Sequence, residues 1–187
     1  MESTKPMAGF TLVELLVTLI VLAVAISIGI PNLNRLVTSN RHSELLNQYL
    51  GAFAMARSQA VMNKTITAIC PLDSSSECHD NWNQPVSIFP DADKDQKPDH
   101  GEVWRVVTID GDNFNIHSRT AGSGSFHFGN EGMIHGGTGS LVICPENVSS
   151  QQMTYLAVSL GGRARYTTDD DGDGKITLSW GGNISCP

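Results

Sequence analysis

GFTLVELLVTLIVLAVAISIGIP, residues 9–31, is an apolar run that contains a single ionisable side chain, Glu14. Its segment from Phe10 to Ile30 has 21 residues. As a helix, such a segment would extend about 31 Å and match a hydrocarbon core of about 30 Å. It is longer than the apolar core of a secretory signal, which has about 7–15 residues. The sequence therefore predicts a membrane-spanning helix over residues 10–30.

Glu14 needs an explanation because a carboxylate is costly in lipid. At the centre of a membrane helix an acidic residue costs about 3 kcal/mol, and less near the ends. A simple anchor fits the length of the segment but gives this charge no role.

The residues around Glu14 resemble a known processing signal. GFTLVEL at residues 9–15 resembles the cleavage site of type IV pilins and type II secretion pseudopilins, and Pro31 stands where such chains usually carry a proline. The resemblance implies that a prepilin peptidase cuts between Gly9 and Phe10, so that residues 1–9 are a leader, and then methylates the new amino group of Phe10. It also implies a single-pass protein of the bacterial inner membrane with its head in the periplasm.

Cleavage at this site would give Glu14 a partner. The free amine of Phe10 in one subunit can pair with the Glu14 carboxylate of a neighbour when their helices pack with an axial offset. Pairing removes much of the cost of a charge in lipid. Glu14 is then predicted to set the register of assembly, and the alternative is a charge tolerated near the membrane interface.

Beyond Pro31 the apolar residues recur at three- and four-residue steps, as on one face of a helix. Pro31 removes one backbone hydrogen bond and is expected to bend the helix without necessarily ending it. We predict an amphipathic continuation over residues 31–64, so that the whole helix has about fifty residues and is about 80 Å long. The apolar stripe comprises Leu33, Leu36, Val37, Leu45, Leu46, Tyr49, Leu50, Phe53, Met55, Ala56, Ala60 and Val61.

Residues 65–187, the head, consist of short apolar or alternating runs separated by glycine, proline and aspartate. This pattern is typical of strands joined by turns. One long helix followed only by strands predicts an α+β fold, with an antiparallel sheet packed on the helix, as in the pilin-like proteins of the resemblance. The predicted strands are KTITAIC (64–70), PVSIF (85–89), EVWRVVTI (102–109), SFHF (125–128), SLVIC (140–144), TYLAVSL (154–160), RARYTT (163–168) and KITLSW (175–180).

All four cysteines lie in the head, and an even number in an exported chain indicates two disulfide bonds. Three pairings are possible. The polar loop between Cys70 and Cys78 favours that local pair, which leaves Cys144 with Cys186. A zinc site is the weaker alternative, because no Cys-x-x-Cys pair is present.

Several further stretches narrow the resemblance to the GspH/FimT family, with FimT- and FimU-like minor pilins. They are ARSQAV (56–61), the Cys70–Cys78 loop, PVSIFPDAD (85–93), GEVWRV (101–106), EG with SLVIC (131–144), VSLGGRAR (158–165) and SC (185–186). The four cysteines favour the pilus-type members. The resemblance implies a minor pilin that helps to initiate a type IV pilus together with other minor and major pilins. The alternative is a minor pseudopilin of a type II secretion system.

The element Gly162-Arg163-Ala164-Arg165 resembles a GRxR element that some FimT-like pilins use to capture DNA in natural transformation. Arginines two positions apart on a strand share a face and could each contact a phosphate. The head has seven basic and sixteen acidic side chains, hence a charge of −9, which argues against general affinity for nucleic acid. The alternative is a solvated strand end whose arginines pair with nearby aspartates.

Two acidic loops suggest calcium sites. In one, Asp169, Asp171 and Asp173 copy the first half of an EF-hand loop, but Trp180 occupies the position of the bidentate glutamate. In the other, the EF-hand positions one, three, five, nine and twelve are occupied by Asp91, Asp93, Asp95, Asp99 and Glu102. Acidic surface turns without a metal are the default interpretation of both loops.

Signatures of catalysis are missing from the sequence. It has no G-x-S-x-G element, P-loop or H-E-x-x-H motif, and its six histidines are scattered. We expect a protein that is not an enzyme and has no cofactor unless calcium binds.

Overall fold

The computed structural model describes residues 11–187 apart from 110, 112, 121–123 and 147–152, and it leaves the side chains at 29, 31–36 and 38 undescribed. The first element is a helix, α1 (Leu12–Asn63), of 52 residues. It passes through position 31, so the helix does not end at the proline. The chain divides into two compact units, residues 1–41 and 42–187.

In the first unit, the large apolar side chains described between Leu12 and Ile30 are half to three-quarters exposed. Within the part of the chain that the structure describes, no helix is both long enough and apolar enough to cross a membrane.

The second unit combines the end of α1 with two four-stranded antiparallel sheets and a hairpin. The first sheet has the order β3-β2-β1-β5 and the second the order β4-β6-β7-β8, while β9 pairs only with β10. The predicted α+β class with antiparallel pairing is therefore confirmed. The strands are β1 (Thr67–Pro71), β2 (Val86–Pro90), β3 (Arg105–Val107), β4 (Phe114–Arg119), β5 (Phe126–Phe128), β6 (Gly139–Pro145), β7 (Thr154–Val158), β8 (Ala164–Thr168), β9 (Lys175–Thr177) and β10 (Asn183–Ser185).

The main core forms where the apolar face of α1 meets both sheets. Leu45, Tyr49, Phe53, Ala56 and Ala60 are buried at the three- and four-residue steps of the predicted stripe. Burying such a stripe is the main stabilisation of an amphipathic helix in water.

Three described members of the predicted stripe, Val37, Met55 and Val61, are exposed, whereas Ala52, which was not in the stripe, is buried. The reason is geometric: one helix face can hold only part of a set of apolar residues that extends around the helix. The side chains of the stripe at positions 33 and 36 lie outside the described residues.

The second sheet is covered on both faces. Alternate residues of β6 point to opposite sides, so that Leu141 and Ile143 pack in the main core with α1, while Val142 and Cys144 pack in a separate cluster. The cluster is completed by the β9–β10 hairpin through Ile176, Leu178 and Ile184. The hairpin therefore lies on the face of the sheet opposite to α1.

The structure contains disulfide bonds between Cys70 and Cys78 and between Cys144 and Cys186. These are the two pairs that the sequence favoured. The second bond ties the end of the chain, just after β10, to β6.

Candidate functional site

The predicted processing site lies mostly outside the described residues, since the structure describes neither Gly9 nor Phe10. Glu14 lies in the first turn of α1, and its N–H donates to the hydroxyl oxygen of Thr11 at 3.2 Å. Thr11-x-x-Glu14 is the sequence pattern of a helix-capping box, in which the Thr hydroxyl satisfies a free N–H of the first turn. The Glu14 side chain is exposed and forms no ion pair among the described residues.

Arg165 is the second residue of β8, and Arg163 directly precedes the strand in the turn that connects it with β7. The turn is closed by the Gly162 N–H, which donates to the Ser159 carbonyl at 2.8 Å, and by the Ser159 N–H, which donates to the Arg163 carbonyl at 3.0 Å. Both arginines are exposed, and neither forms an ion pair with an acidic residue in the described part of the chain. Among the described residues, the arginine–aspartate pairs of the alternative interpretation are therefore not formed.

The two arginines border a groove between β8 and the last turns of α1, with a volume of about 590 Å³. We call it the arginine groove. From α1 it is lined by Leu50, Ala54, Arg57, Ser58, Val61 and Met62, and from the β7–β8 turn and β8 by Gly162, Arg163, Ala164 and Arg165. Its lining is apolar along much of the helix side and cationic along the strand side.

One side of the arginine groove is held by a close contact between Gly162 and Gly132. The sequence did not indicate this contact. Arg57 Nε donates to the Gly132 carbonyl at 2.9 Å, and Gly162 packs against the same carbonyl. A Cβ atom at position 162 would lie 2.0 Å from the Gly132 oxygen, and Gly162 has a φ of +71°. Only glycine fits both the positive φ and the close approach, so the glycine of the GRxR element has a structural role of its own.

The first acidic loop differs from the predicted set of five ligands. Carboxylate oxygens of Asp91, Asp93 and Asp99 lie within 4.8 Å of one another, and Asp95 and Glu102 are not in this group. Calcium binding by this loop, with the five predicted carboxylates, stays a prediction. The Glu102 carboxylate accepts the Trp104 indole N–H at 3.0 Å, and an Asp95 oxygen accepts the N–H of Lys97 at 2.9 Å.

Asp91 is fully buried and satisfies the backbone of its own loop. Its oxygens accept the N–H groups of Asp95 at 3.1 Å and Gln96 at 3.2 Å. One of these oxygens also lies 2.7 Å from Nε2 of His127 on β5, an edge strand of the first sheet. Asp91 therefore holds the loop on the sheet, which is a structural role that its position in an acidic run did not indicate.

The second acidic loop brings Asp169, Asp171 and Asp173 together, again with their oxygens within 4.8 Å of one another. Asp169 is buried, and its oxygens accept the N–H groups of Gly174 at 2.8 Å and Gly172 at 2.9 Å. Burial alone would raise the pKa of Asp169, but these bonds and one with Asp171 hold its pKa below the ordinary value. Three carboxylates are suitable calcium ligands, and calcium binding here stays a prediction.

A long N-terminal helix on an antiparallel sheet, with an apolar beginning marked by one glutamate, defines a pilin-like subunit. The family model of the type II transport protein GspH matches residues 45–182, and the prokaryotic N-terminal methylation motif matches residues 4–30. The chain belongs to the GspH family, whose members are structural pilin and pseudopilin subunits that carry a membrane anchor at the N-terminus. No curated protein matches the sequence.

Two crystal structures of the type IV minor pilin FimU from Pseudomonas aeruginosa (strain PAO1) are similar to this chain. One has 16% identity and a TM-score of 0.49, covering 69% of this chain and 91% of FimU. The other has 16% identity and a TM-score of 0.48, covering 72% of this chain and 90% of FimU.

Proposed function

We propose that this protein is a minor pilin that helps to initiate a type IV pilus as a structural subunit. The observation that carries the proposal is the combination, in one chain, of an N-terminal methylation motif over residues 4–30 and a GspH head over residues 45–182. Membership of this family implies processing by a prepilin peptidase and association with other pilins. A minor pseudopilin of a type II secretion system is the alternative within the same family. The two disulfide bonds favour the pilus-type members.

The proposed mechanism begins with cleavage between Gly9 and Phe10 at the cytoplasmic side of the bacterial inner membrane. Residues 10–30 hold the subunit in this membrane as a single span, and the head lies in the periplasm. The exposed apolar side chains between Leu12 and Ile30 support this placement, because in water such a surface would be unfavourable.

Glu14 is proposed to select the correct axial position of a neighbouring subunit. Its side chain is exposed and without an ion-pair partner among the described residues. An unpaired carboxylate within lipid is unstable by about 3 kcal/mol at the membrane centre. Pairing with the methylated amine of Phe10 on a neighbour relieves this cost only at one offset between the helices, which gives the register.

Processing can be tested directly. We expect mass spectrometry of the purified chain to show loss of residues 1–9 and one methyl group on the amine of Phe10, provided that the prepilin peptidase is expressed with it. A Gly9→Leu variant should keep its leader, because it removes the glycine that ends the leader in the proposed processing site. A wild-type chain that keeps the leader in the presence of an active peptidase would contradict the proposed processing.

A second candidate function is DNA binding at the beginning of β8. It is favoured by the exposure of Arg163 and Arg165 and by their lack of a carboxylate partner in the described part of the chain. The aspartates of the second acidic loop oppose it through repulsion of phosphates. We therefore propose weak, salt-sensitive binding.

The DNA proposal predicts a specific effect on salt dependence. Arg163→Ala combined with Arg165→Ala should reduce the slope of log K against log salt by about 2, since each phosphate contact contributes about 0.9. The measurement is fluorescence anisotropy of labelled duplex DNA with the full chain in detergent at several salt concentrations. Arg105→Ala combined with Arg119→Ala removes the same charge from exposed strand positions and should leave the slope near that of the wild type. Equal slopes for the two double variants would refute the role of the GRxR arginines.

A further inference from the structure

We propose that the tip of the β9–β10 hairpin of one copy of this chain docks into the arginine groove of a second copy, with Trp180 as the anchor. The contact goes beyond the proposed function because it uses only residues of the second unit and does not involve Glu14. The docking contact can therefore be absent even if the proposed cleavage after Gly9 and the register set by Glu14 are correct.

The hairpin presents Trp180 in an unusual way. This residue is 72% exposed, although tryptophan is highly buried on average. The tip that carries it is ordered: the Gly181 N–H donates to the Leu178 carbonyl at 2.8 Å, and the Leu178 N–H donates to the Gly182 carbonyl at 2.7 Å.

The body of the hairpin is fixed as well. Ile176, Leu178 and Ile184 are buried against the second sheet, and the Cys144–Cys186 bond holds the residue after β10. Trp180 thus projects from a rigid support, so that docking would require little additional ordering. Exposed, preorganised tryptophans are frequent anchors of protein interfaces.

The arginine groove is suited to receive such a side chain. Its volume of about 590 Å³ is within the range of about 300–1,000 Å³ for ligand-sized pockets. Val61 and Met62 on its helix side are 47% and 71% exposed, which leaves apolar surface uncovered. The guanidinium groups on the strand side can lie over an indole ring, which attracts cations to its face.

The charges of the two surfaces are complementary. Exposed carboxylates of Asp170, Asp171 and Asp173 directly precede β9 at the base of the hairpin, so negative charge accompanies the aromatic anchor at the tip. The groove carries Arg163 and Arg165, which have no acidic partner among the described residues. A hairpin with these features matches both sides of the groove, because the indole suits the apolar helix side and the carboxylates suit the arginines of the strand side.

The position of the two surfaces decides between contact within one chain and contact between chains. The groove includes α1, which packs on one face of the second sheet through Leu141 and Ile143. The hairpin packs on the opposite face through the cluster with Val142 and Cys144. Because the sheet separates them, the hairpin of one chain cannot fill its own groove. A contact between different surfaces of two copies is heterologous, so it can continue from copy to copy along a row.

A complementation experiment tests this contact with the full chain in excess detergent micelles. Donor- and acceptor-labelled copies are mixed, and resonance energy transfer is followed against concentration. We expect association of the wild type, and a loss of at least tenfold in affinity for Trp180→Ala alone and for Arg163→Glu with Arg165→Glu alone. Val106→Ala, which removes an exposed apolar group from β3 in the first sheet, should associate as the wild type does.

The decisive sample is a mixture of the two defective chains. Trp180→Ala retains an intact groove, and the double arginine variant retains an intact hairpin, so one productive contact can form and energy transfer should return as heterodimers. Restored transfer also proves that both variants are folded. The proposal is overturned if the wild type does not associate, if Trp180→Ala associates as the wild type does, or if the mixture stays dissociated. Duplex DNA that competes with association would show that both partners use the same arginines.

Discussion

Trp82→Ala is expected to lower the free energy of unfolding by about 4–5 kcal/mol, at the upper end of the range for large-to-small substitutions in a core. Trp82 is fully buried and lies in the main core. Since a domain of this size has a total stability of about 5–15 kcal/mol, the variant should be partly unfolded at moderate temperature.

The large effect follows from the number of elements that meet at Trp82. Its ring stacks on Phe53 of α1 with centroids 6.0 Å apart, and it meets Phe126 of β5 edge-on at 5.5 Å. Its indole N–H donates to the Gly124 carbonyl at 2.9 Å, and its own carbonyl accepts the Tyr49 hydroxyl at 2.5 Å. Alanine would therefore create a cavity and also leave the Gly124 carbonyl without its donor.

Thermal and denaturant unfolding of the full chain in detergent, followed by near-ultraviolet circular dichroism, measures this effect. Trp82→Phe is the matched control, because it retains an aromatic ring between Phe53 and Phe126 and loses mainly the hydrogen bond. We expect it to cost about 1–3 kcal/mol. Similar losses for alanine and phenylalanine would mean that the ring packing described above does not determine the stability of the core.

Gly162→Ala is the second substitution with a large expected effect, about 2–5 kcal/mol, although it adds only one methyl group. The residue has a positive φ, which costs a non-glycine residue about 1–2 kcal/mol. The new Cβ would lie 2.0 Å from the Gly132 carbonyl oxygen, and backbone shifts that relieve such overpacking cost about 1–3 kcal/mol. Separation of the β7–β8 turn from α1 should also disturb the arginine groove.

Gly161→Ala provides the control for this prediction. The adjacent glycine has no positive φ, and the nearest atom to a Cβ placed there is the Ser159 hydroxyl oxygen at 4.0 Å. The unfolding free energy should therefore change by less than about 0.5 kcal/mol, as for most surface substitutions. Equal stability of the two alanine variants in chemical denaturation would show that the contact between Gly162 and Gly132 is not tight in solution.

The fold was predictable where one periodic pattern continued for many residues. The stripe of α1 follows from such a pattern, and β6, where five consecutive residues are buried, follows from its continuous apolar run. The hairpin strand β10 has only three residues, and β4 (FNIHSR) alternates isoleucine and phenylalanine with polar residues that include histidine and asparagine. β10 was missed because three residues are too few to show a period, and β4 because only two of its six residues are apolar.

The parts of the site that the sequence could not indicate are contacts between residues far apart in the chain. Arg57 and Gly132 are separated by 75 positions, and no local pattern links them. The role of Asp91 also depends on contacts that the local sequence does not show. Its acidic run suggested a metal ligand, whereas its carboxylate contacts the backbone of its own loop and His127. In contrast, the exposure of Arg163 and Arg165 follows from their position beside a glycine turn.

Incorporation of Glu14→Ala into filaments tests the central claim most directly. The variant is produced in a host strain that lacks its own copy of the protein, and the filament fraction is compared with the membrane fraction by immunoblot, with leader removal and methylation checked by mass spectrometry. We predict normal processing but little or no Glu14→Ala in filaments, because the carboxylate that pairs with the amine of Phe10 is gone, whereas Glu14→Asp should retain part of the incorporation. Processed Glu14→Ala that enters filaments at the wild-type level would contradict the claim.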